Sequence, residues 1–142
     1  MSAQELVKLC TRKKRTIASC ESLTAGLFSA EIASVPGASK VLKGGIVTYF
    51  TEIKEKVVGV DTEVISKYGV VSKECADQMA QKTRELLESD YCVSFTGNAG
   101  PDTMEEKPAG LVYCSIASKK GVKNFKLFLD HKSRNEVRKE AV

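Results

Sequence analysis

Three segments of this chain carry side chains that can do chemistry, and each follows a run of β-forming residues. Thr16-Ile17-Ala18-Ser19-Cys20 leads into Glu21-Ser22-Leu23-Thr24. Ile46-Val47-Thr48-Tyr49-Phe50 leads towards Lys54, and Tyr91-Cys92-Val93-Ser94-Phe95 leads into Thr96-Gly97-Asn98-Ala99-Gly100-Pro101. Ser22 falls between a strand and a helix start, where free backbone N–H groups and the positive end of the helix dipole suit an oxyanion or a phosphate. A serine nucleophile needs a base. The one histidine, His131, lies beyond the last predicted strand, which leaves Lys54 with Tyr49. A lysine can take a serine proton when burial lowers its pKa. Each feature also has an ordinary structural reading. Ser22 and Thr24 are common helix caps, Lys54 fits a solvated helix face, and residues 97–101 fit a tight turn.

Composition narrows the chemistry. The 142 residues include one histidine, no tryptophan and five cysteines. Cys10, Cys20, Cys75, Cys92 and Cys114 form no Cys-x-x-Cys pair, so neither a zinc ribbon nor a disulfide framework is expected. The expectation is reduced, mostly buried thiols in a cytoplasmic protein that uses no metal and no organic cofactor. No Gly-Lys-Ser/Thr follows the glycines at 97 and 100, and the Gly-x-Gly-x-x-Gly spacing is absent, which excludes a P-loop and a dinucleotide fingerprint. The net charge is only +4. The basic run Arg12-Lys13-Lys14-Arg15 has no interleaved aromatics, so no nucleic-acid partner is expected. No apolar run reaches the ~20 residues of a membrane span, and Glu5 and Lys8 break any signal-peptide core.

The elements that must position these residues alternate in type. A capping box at Ser2 opens a helix from about Ala3 to Thr11. A second helix is expected over 25–35, stopped by Pro36-Gly37, and a strand over 46–50 preceded by Gly44-Gly45. Short helices follow over 52–58 and around 63–67. The longest runs from about Lys73 to Glu88, with Ala76, Met79, Ala80 and Thr83 on its apolar face. Strands are expected over 91–95 and 111–117. A turn at Lys119-Lys120-Gly121 leads into a strand over 122–129, and a capping box at Ser133 opens a short last helix. This order implies a single domain spanning 1–142, folded as a three-layer α/β/α sandwich with a mixed, mainly parallel sheet. Ligands in such sheets bind beyond the carboxyl ends of the parallel strands, so the three polar segments converge on one edge.

Taken in order, these segments resemble the CinA C-terminal domain family. The resemblance rests on Glu21-Ser22-Leu23-Thr24-Ala25-Gly26, Val35-Pro36-Gly37-Ala38-Ser39 and Gly45-Ile46-Val47-Thr48-Tyr49 with Lys54. It continues through Gly69-x-Val71-Ser72, Thr96-Gly97-Asn98-Ala99-Gly100-Pro101, and Glu106-Lys107-Pro108-Ala109-Gly110-Leu111-Val112-Tyr113, and ends on Arg134 and Arg138. It implies the α/β/α fold and hydrolysis of the carboxamide of nicotinamide mononucleotide to the acid and ammonia. Carried over, Ser22 is the nucleophile, and Lys54 and Tyr49 move its protons. N–H groups near Thr24 or Gly97 receive the oxyanion. Asn98, Lys107 and Arg134 hold the nucleotide and its phosphate, with Glu21, Thr96, Ala99 and Gly100 completing the substrate-binding set. Ser22 Oγ and Lys54 Nζ are expected within hydrogen-bond reach or one water apart. The chain departs from the family pattern at Leu23, Ala25, Asn98 and Lys132-Ser133. These departures and the short last helix motivate an alternative: a non-catalytic nucleotide-binding module linked to competence or damage responses. The expected partner is a small-molecule nucleotide. The basic surface near the last helix points to self-association as a homo-oligomer.

Overall fold

The computed structural model describes residues 1–142. The elements are α1 (Ala3–Lys13), β1 (Ile17–Glu21), α2 (Leu27–Ala33), β2 (Leu42–Val47), α3 (Thr51–Ile53), α4 (Thr62–Tyr68), α5 (Lys73–Leu87), β3 (Tyr91–Gly97), β4 (Leu111–Ser118), β5 (Gly121–Phe128) and α6 (Arg134–Ala141). A single 3₁₀ turn, Ala38–Lys40, precedes β2, and α3 runs directly into a π-helical segment, Lys54–Val58. The sheet has five strands in the order β2-β1-β3-β4-β5. β1 is parallel to both β2 and β3, while β4 and β5 close the sheet with antiparallel pairings.

Helices cover both faces. α1 and α2 bring Val7, Cys10 and Ile32 onto Ile17 and Val41. α6 sets Val137 and Ala141 against Val93, Phe95 and Val112. On the other face, α5 presents Cys75 and Met79 to a cluster that includes Cys20, Val58, Val71 and Leu111. β1 and β3 are central and buried almost throughout, as expected of strands covered on both sides. The cysteines are all free, and only Cys114 is not fully buried.

The span of β2 and the start of α2 differ from the expected ones for identifiable reasons. β2 runs over Leu42–Val47 rather than 46–50, so Gly44 and Gly45 lie inside it. Gly45 stands opposite Ser19, and a Cβ there would come within 2.6 Å of Ser29 Oγ and 2.8 Å of Ser19 Oγ. Glycine therefore admits a close approach of α2 to the sheet. α2 starts at Leu27 rather than Ala25, because Ala25 (φ 49°) and Gly26 (φ 96°) are both left-handed and turn the chain before the helix begins.

The parallel register fixes the functional edge. Glu21, the last residue of β1, lies beside Val47 at the end of β2 and beside Phe95 near the end of β3. The segments after these strands consequently emerge together.

Candidate active site

The turn that carries Ser22 is shaped by the residue before it. Glu21 is 1% exposed. Its carboxylate accepts the N–H groups of Phe28 (2.9 Å) and Ser29 (3.2 Å) in the first turn of α2, and the hydroxyl of Ser19 at 2.9 Å. A carboxylate at a helix start satisfies amides that have no partner within the helix. Here it draws α2 back onto the end of β1. The Ser22 amide donates to Phe95 O at 3.0 Å, and the Ser22 carbonyl accepts Ala25 N–H at 3.1 Å. Ser22 is thus held by backbone bonds on both sides and is 8% exposed.

Lys54 reaches the same point from the far side of β2. The chain passes Thr48 and turns through α3. Lys54 then opens the π-helical segment, its carbonyl accepting from Gly59 and Val60 at 3.0 Å each. This π geometry, common at functional positions, accompanies a lysine that is 1% exposed. Lys54 Nζ donates to Ser22 Oγ at 3.0 Å and to the Thr48 carbonyl at 2.6 Å. Neither partner is anionic. Burial pushes the Lys54 pKa below its ordinary value of 10.5, with Cys75, Cys20 and the Glu105 carboxylate pulling weakly the other way. The pair therefore has the geometry and the electrostatic bias of a nucleophile beside its base.

Ser22 opens onto a cleft of about 610 Å³, inside the ~300–1,000 Å³ range of small-molecule sites. Its walls include Leu23, Tyr49, Phe50, Gly97, Ala99 and Arg134, with Glu52, Asn98, Gly100, Asp102 and Met104 around them. Phe50 is 68% exposed there. Arg134, the first residue of α6, donates to Gly100 O at 2.7 Å and to the Tyr49 hydroxyl at 2.6 Å. No carboxylate pairs with its guanidinium, so the charge remains available to an anion. No group of three or more His, Cys, Asp and Glu side chains is placed to hold a metal ion.

No side-chain hydrogen bond joins the other expected site residues to the Ser22–Lys54 pair. Tyr49 lines the cleft, but its hydroxyl meets Arg134 rather than the Ser22–Lys54 pair. Chain direction explains this: Thr48 is buried and turns its carbonyl to Lys54, while the next residue points outward, 49% exposed. Glu21 faces α2, as described. Thr96 Oγ1 donates to Val70 O at 2.7 Å. Thr24 is fully buried, and its hydroxyl has no partner. Lys107 Nζ donates to Tyr68 O at 2.9 Å and to Val71 O, and pairs with Glu105 at 3.2 Å. Asn98 folds its amide into its own loop, donating to Met104 O and Lys107 O and accepting Met104 N–H. Of the expected binding set, Gly97, Asn98, Ala99, Gly100 and Arg134 line the cleft.

Sequence reasoning gave no role to Phe50, Glu52, Asp102 or Met104, which lie in turns or, for Glu52, in the three-residue α3. It also gave none to Arg138, whose Nε donates to Leu23 O at 2.8 Å. The recurrence of arginine at 134 and 138, one helical turn apart, is the signal that marks both as facing one side.

The family model for the CinA C-terminal domain matches residues 1–142. A relative from Listeria welshimeri, named for competence-damage induction, is 43% identical over 98% of this chain and 34% of its own length. A similarly named relative from Streptococcus agalactiae is 43% identical over 96% of this chain and 32% of its own. The chain thus spans about a third of the length of these curated relatives. Among solved structures, the competence/damage inducible protein CihA from Agrobacterium tumefaciens superposes with a TM-score of 0.94 at 30% identity, covering 98% of this chain and 86% of that one. A CinA superfamily protein from Escherichia coli gives 0.94 at 23% identity, covering 98% and 81%, a likeness of fold.

Proposed function

Because this chain belongs to the CinA C-terminal domain family, we propose that it is an amidohydrolase that converts nicotinamide mononucleotide to nicotinate mononucleotide and ammonia. The observation that carries this reading is the 3.0 Å contact between Ser22 Oγ and the buried Lys54 Nζ, a lysine with no carboxylate partner. In its neutral form Lys54 takes the Ser22 proton as Oγ attacks the carboxamide carbon. The oxyanion that forms needs N–H donors, and the amides of Leu23 and Thr24 find no acceptor within the protein. Lys54 then returns the proton to the departing nitrogen, and ammonia leaves an acyl ester on Ser22. Water attacks that ester, giving its proton to Lys54. Collapse of the second tetrahedral species releases the carboxylic acid and restores the Ser22 hydroxyl. The sum is amide plus water to acid plus ammonia.

The cleft's other groups suit the rest of such a substrate. Arg134 offers an unpaired guanidinium to a phosphate. Phe50 and Met104 offer exposed apolar surface to a planar ring.

The test is ammonia release from nicotinamide mononucleotide by purified protein and by Ser22→Ala. Release that the substitution abolishes is the expected result. Nucleotide binding without turnover, identical in both proteins, would overturn the enzymatic reading in favour of a binding module.

A further inference from the structure

We infer that Arg138 is the positioning residue for the Thr24 backbone amide, two residues after the Ser22 nucleophile, acting from α6 through the carbonyl side of the same peptide. The inference rests on the amidohydrolase reading above. Arg138 Nε donates to Leu23 O at 2.8 Å, and its Nη2 donates to Thr24 O at 3.3 Å. Its Nη1 donates to Asn135 Oδ1 at 3.1 Å, which steadies the guanidinium from its own helix. The fork therefore grips two successive carbonyls directly after the nucleophile. It has no ion-pair partner.

The peptide unit transmits this grip. A trans peptide is planar, with C=O and N–H pointing in opposite directions. Fixing Leu23 O fixes the Thr24 N–H on the other side of the plane, directed away from the guanidinium. A cation on the carbonyl also polarises the peptide and makes that N–H a stronger donor. The preceding plane is pinned separately, since the Ser22 carbonyl accepts Ala25 N–H. The Leu23 and Thr24 amides have no protein acceptor, although both residues are buried at 3% and 0% exposure. Buried amides are almost always paired, so two adjacent free donors directly after a candidate nucleophile, the first of them on a residue that lines the cleft, are the donors this reading assigns to a developing negative charge. Local sequence alone would hold this turn loosely, because Ala25 and Gly26 are left-handed and α2 has not begun. A residue 115 positions away supplies the constraint.

The experiment compares wild type, Arg138→Ala and Arg138→Lys. It measures steady-state ammonia release, the labelling rate of Ser22 by a fluorophosphonate, and the ¹H–¹⁵N resonances of Leu23 and Thr24. Arg138→Ala is expected to lower kcat on the order of 10²-fold, as loss of one oxyanion donor does. KM should stay within about threefold, as for an interaction made in the transition state. The acid limb of the pH profile, set by Lys54, should not move. Labelling should slow in parallel, the Thr24 resonance should shift, and free guanidinium should restore part of the rate. Arg138→Lys, which keeps one donor, should fall between the two; should Arg138→Ala fail to fold, this variant carries the comparison. Unchanged kcat, a loss confined to KM, or unmoved amide resonances would overturn the inference. If wild type releases no ammonia, the substrate reading fails by itself. The positioning role then stands if Arg138→Ala labels more slowly than wild type, and falls if the two label equally or if Ser22 does not label at all.

Discussion

The β1–α2 turn and the β3–β4 loop leave the same sheet edge, and both are dense in polar residues, yet they use them in opposite ways. In the first, Ser22 Oγ meets a lysine that has no anion beside it, and two successive amides lack acceptors. In the second, the polar side chains that turn inward, Asn98, Glu105 and Lys107, are already paired within the protein. Asn98 satisfies its own loop, and Thr96, near the end of β3 before it, closes onto Val70. Glu105 accepts Val70 N–H at 2.7 Å and Val71 N–H at 3.0 Å, and Lys107 clasps it. The two lysines make the contrast sharpest. Lys54 is buried against neutral oxygens, and its charge is disfavoured there. Lys107 sits on two carbonyls and a carboxylate. A polar residue near a site acts in chemistry when the fold leaves it a free valence, and in architecture when it does not.

The largest effect expected from this contrast is at Lys54. Lys54→Met should reduce turnover roughly 10³-fold, the middle of the range for loss of a general base. It should not lower the thermal midpoint, because burying an ammonium without an anion opposes folding. That opposition is present below the depressed folded pKa of Lys54 and fades as pH rises towards its unfolded value, since the unfolded chain binds the proton more tightly in that window. Wild-type turnover should likewise rise with pH through a limb lying below the ordinary lysine range. Calorimetry and pH–rate profiles of both proteins check this. A large loss of stability in Lys54→Met would mean that Lys54 is architectural like Lys107, and the contrast would collapse.

The β3–β4 loop should respond the other way. Glu105→Gln should lower stability by about 1–2 kcal/mol at neutral pH, the scale of charge-assisted hydrogen bonds, while kcat changes little. Hydrogen bonds from Val71, Val70 and Lys107 hold the Glu105 pKa below the ordinary 4.5 against the opposing effect of burial. Its contribution is therefore complete above the unfolded carboxylate pKa and is lost as pH falls through the lower folded value. The difference between wild type and variant should be full at neutral pH and close under acid, as urea titrations at several pH values would report. A variant that keeps its stability and loses turnover would move Glu105 into the chemistry.

Which polar residues fall in each class was only partly legible in the sequence. The fold was legible because helix caps, alternation of strands with helices and one hairpin turn are local signals, and Ser2 and Ser133 do cap α1 and α6. The edge on which Ser22, Lys54 and residues 97–100 meet followed from parallel order. The roles of Glu21, Thr96 and Lys107 did not, because side-chain direction depends on what packs opposite: α2 for Glu21, and the α4–α5 junction for the other two. The position of β2 was misjudged because Gly44-Gly45 looks like a turn until Ser19 and Ser29 are placed against it. Arg138 was invisible as a grip on Leu23, because that contact spans 115 positions.

Tyr49 stands on the border between the two behaviours and gives the smallest and most discriminating effect. Its hydroxyl lines the cleft, yet it is taken by Arg134 at 2.6 Å. If the Ser22–Lys54 pair suffices for proton transfer, Tyr49→Phe removes one half-exposed hydrogen bond and leaves the ring in place. Such a bond is worth about 0.5–1.5 kcal/mol, and exposure puts this one at the low end. The expected result is a rise in KM of roughly threefold, through a less constrained Arg134, with kcat nearly unchanged. Arg134→Lys should then raise KM further and remove the sensitivity to Tyr49→Phe, since the two side chains act as one unit and their effects would not add. A fall in kcat comparable to that of Lys54→Met would give the opposite answer. It would make Tyr49 a proton carrier and would require the tyrosine to leave Arg134 when substrate phosphate arrives. The split between KM and kcat for this one hydroxyl therefore fixes where the chemical region of the edge ends and the binding region begins.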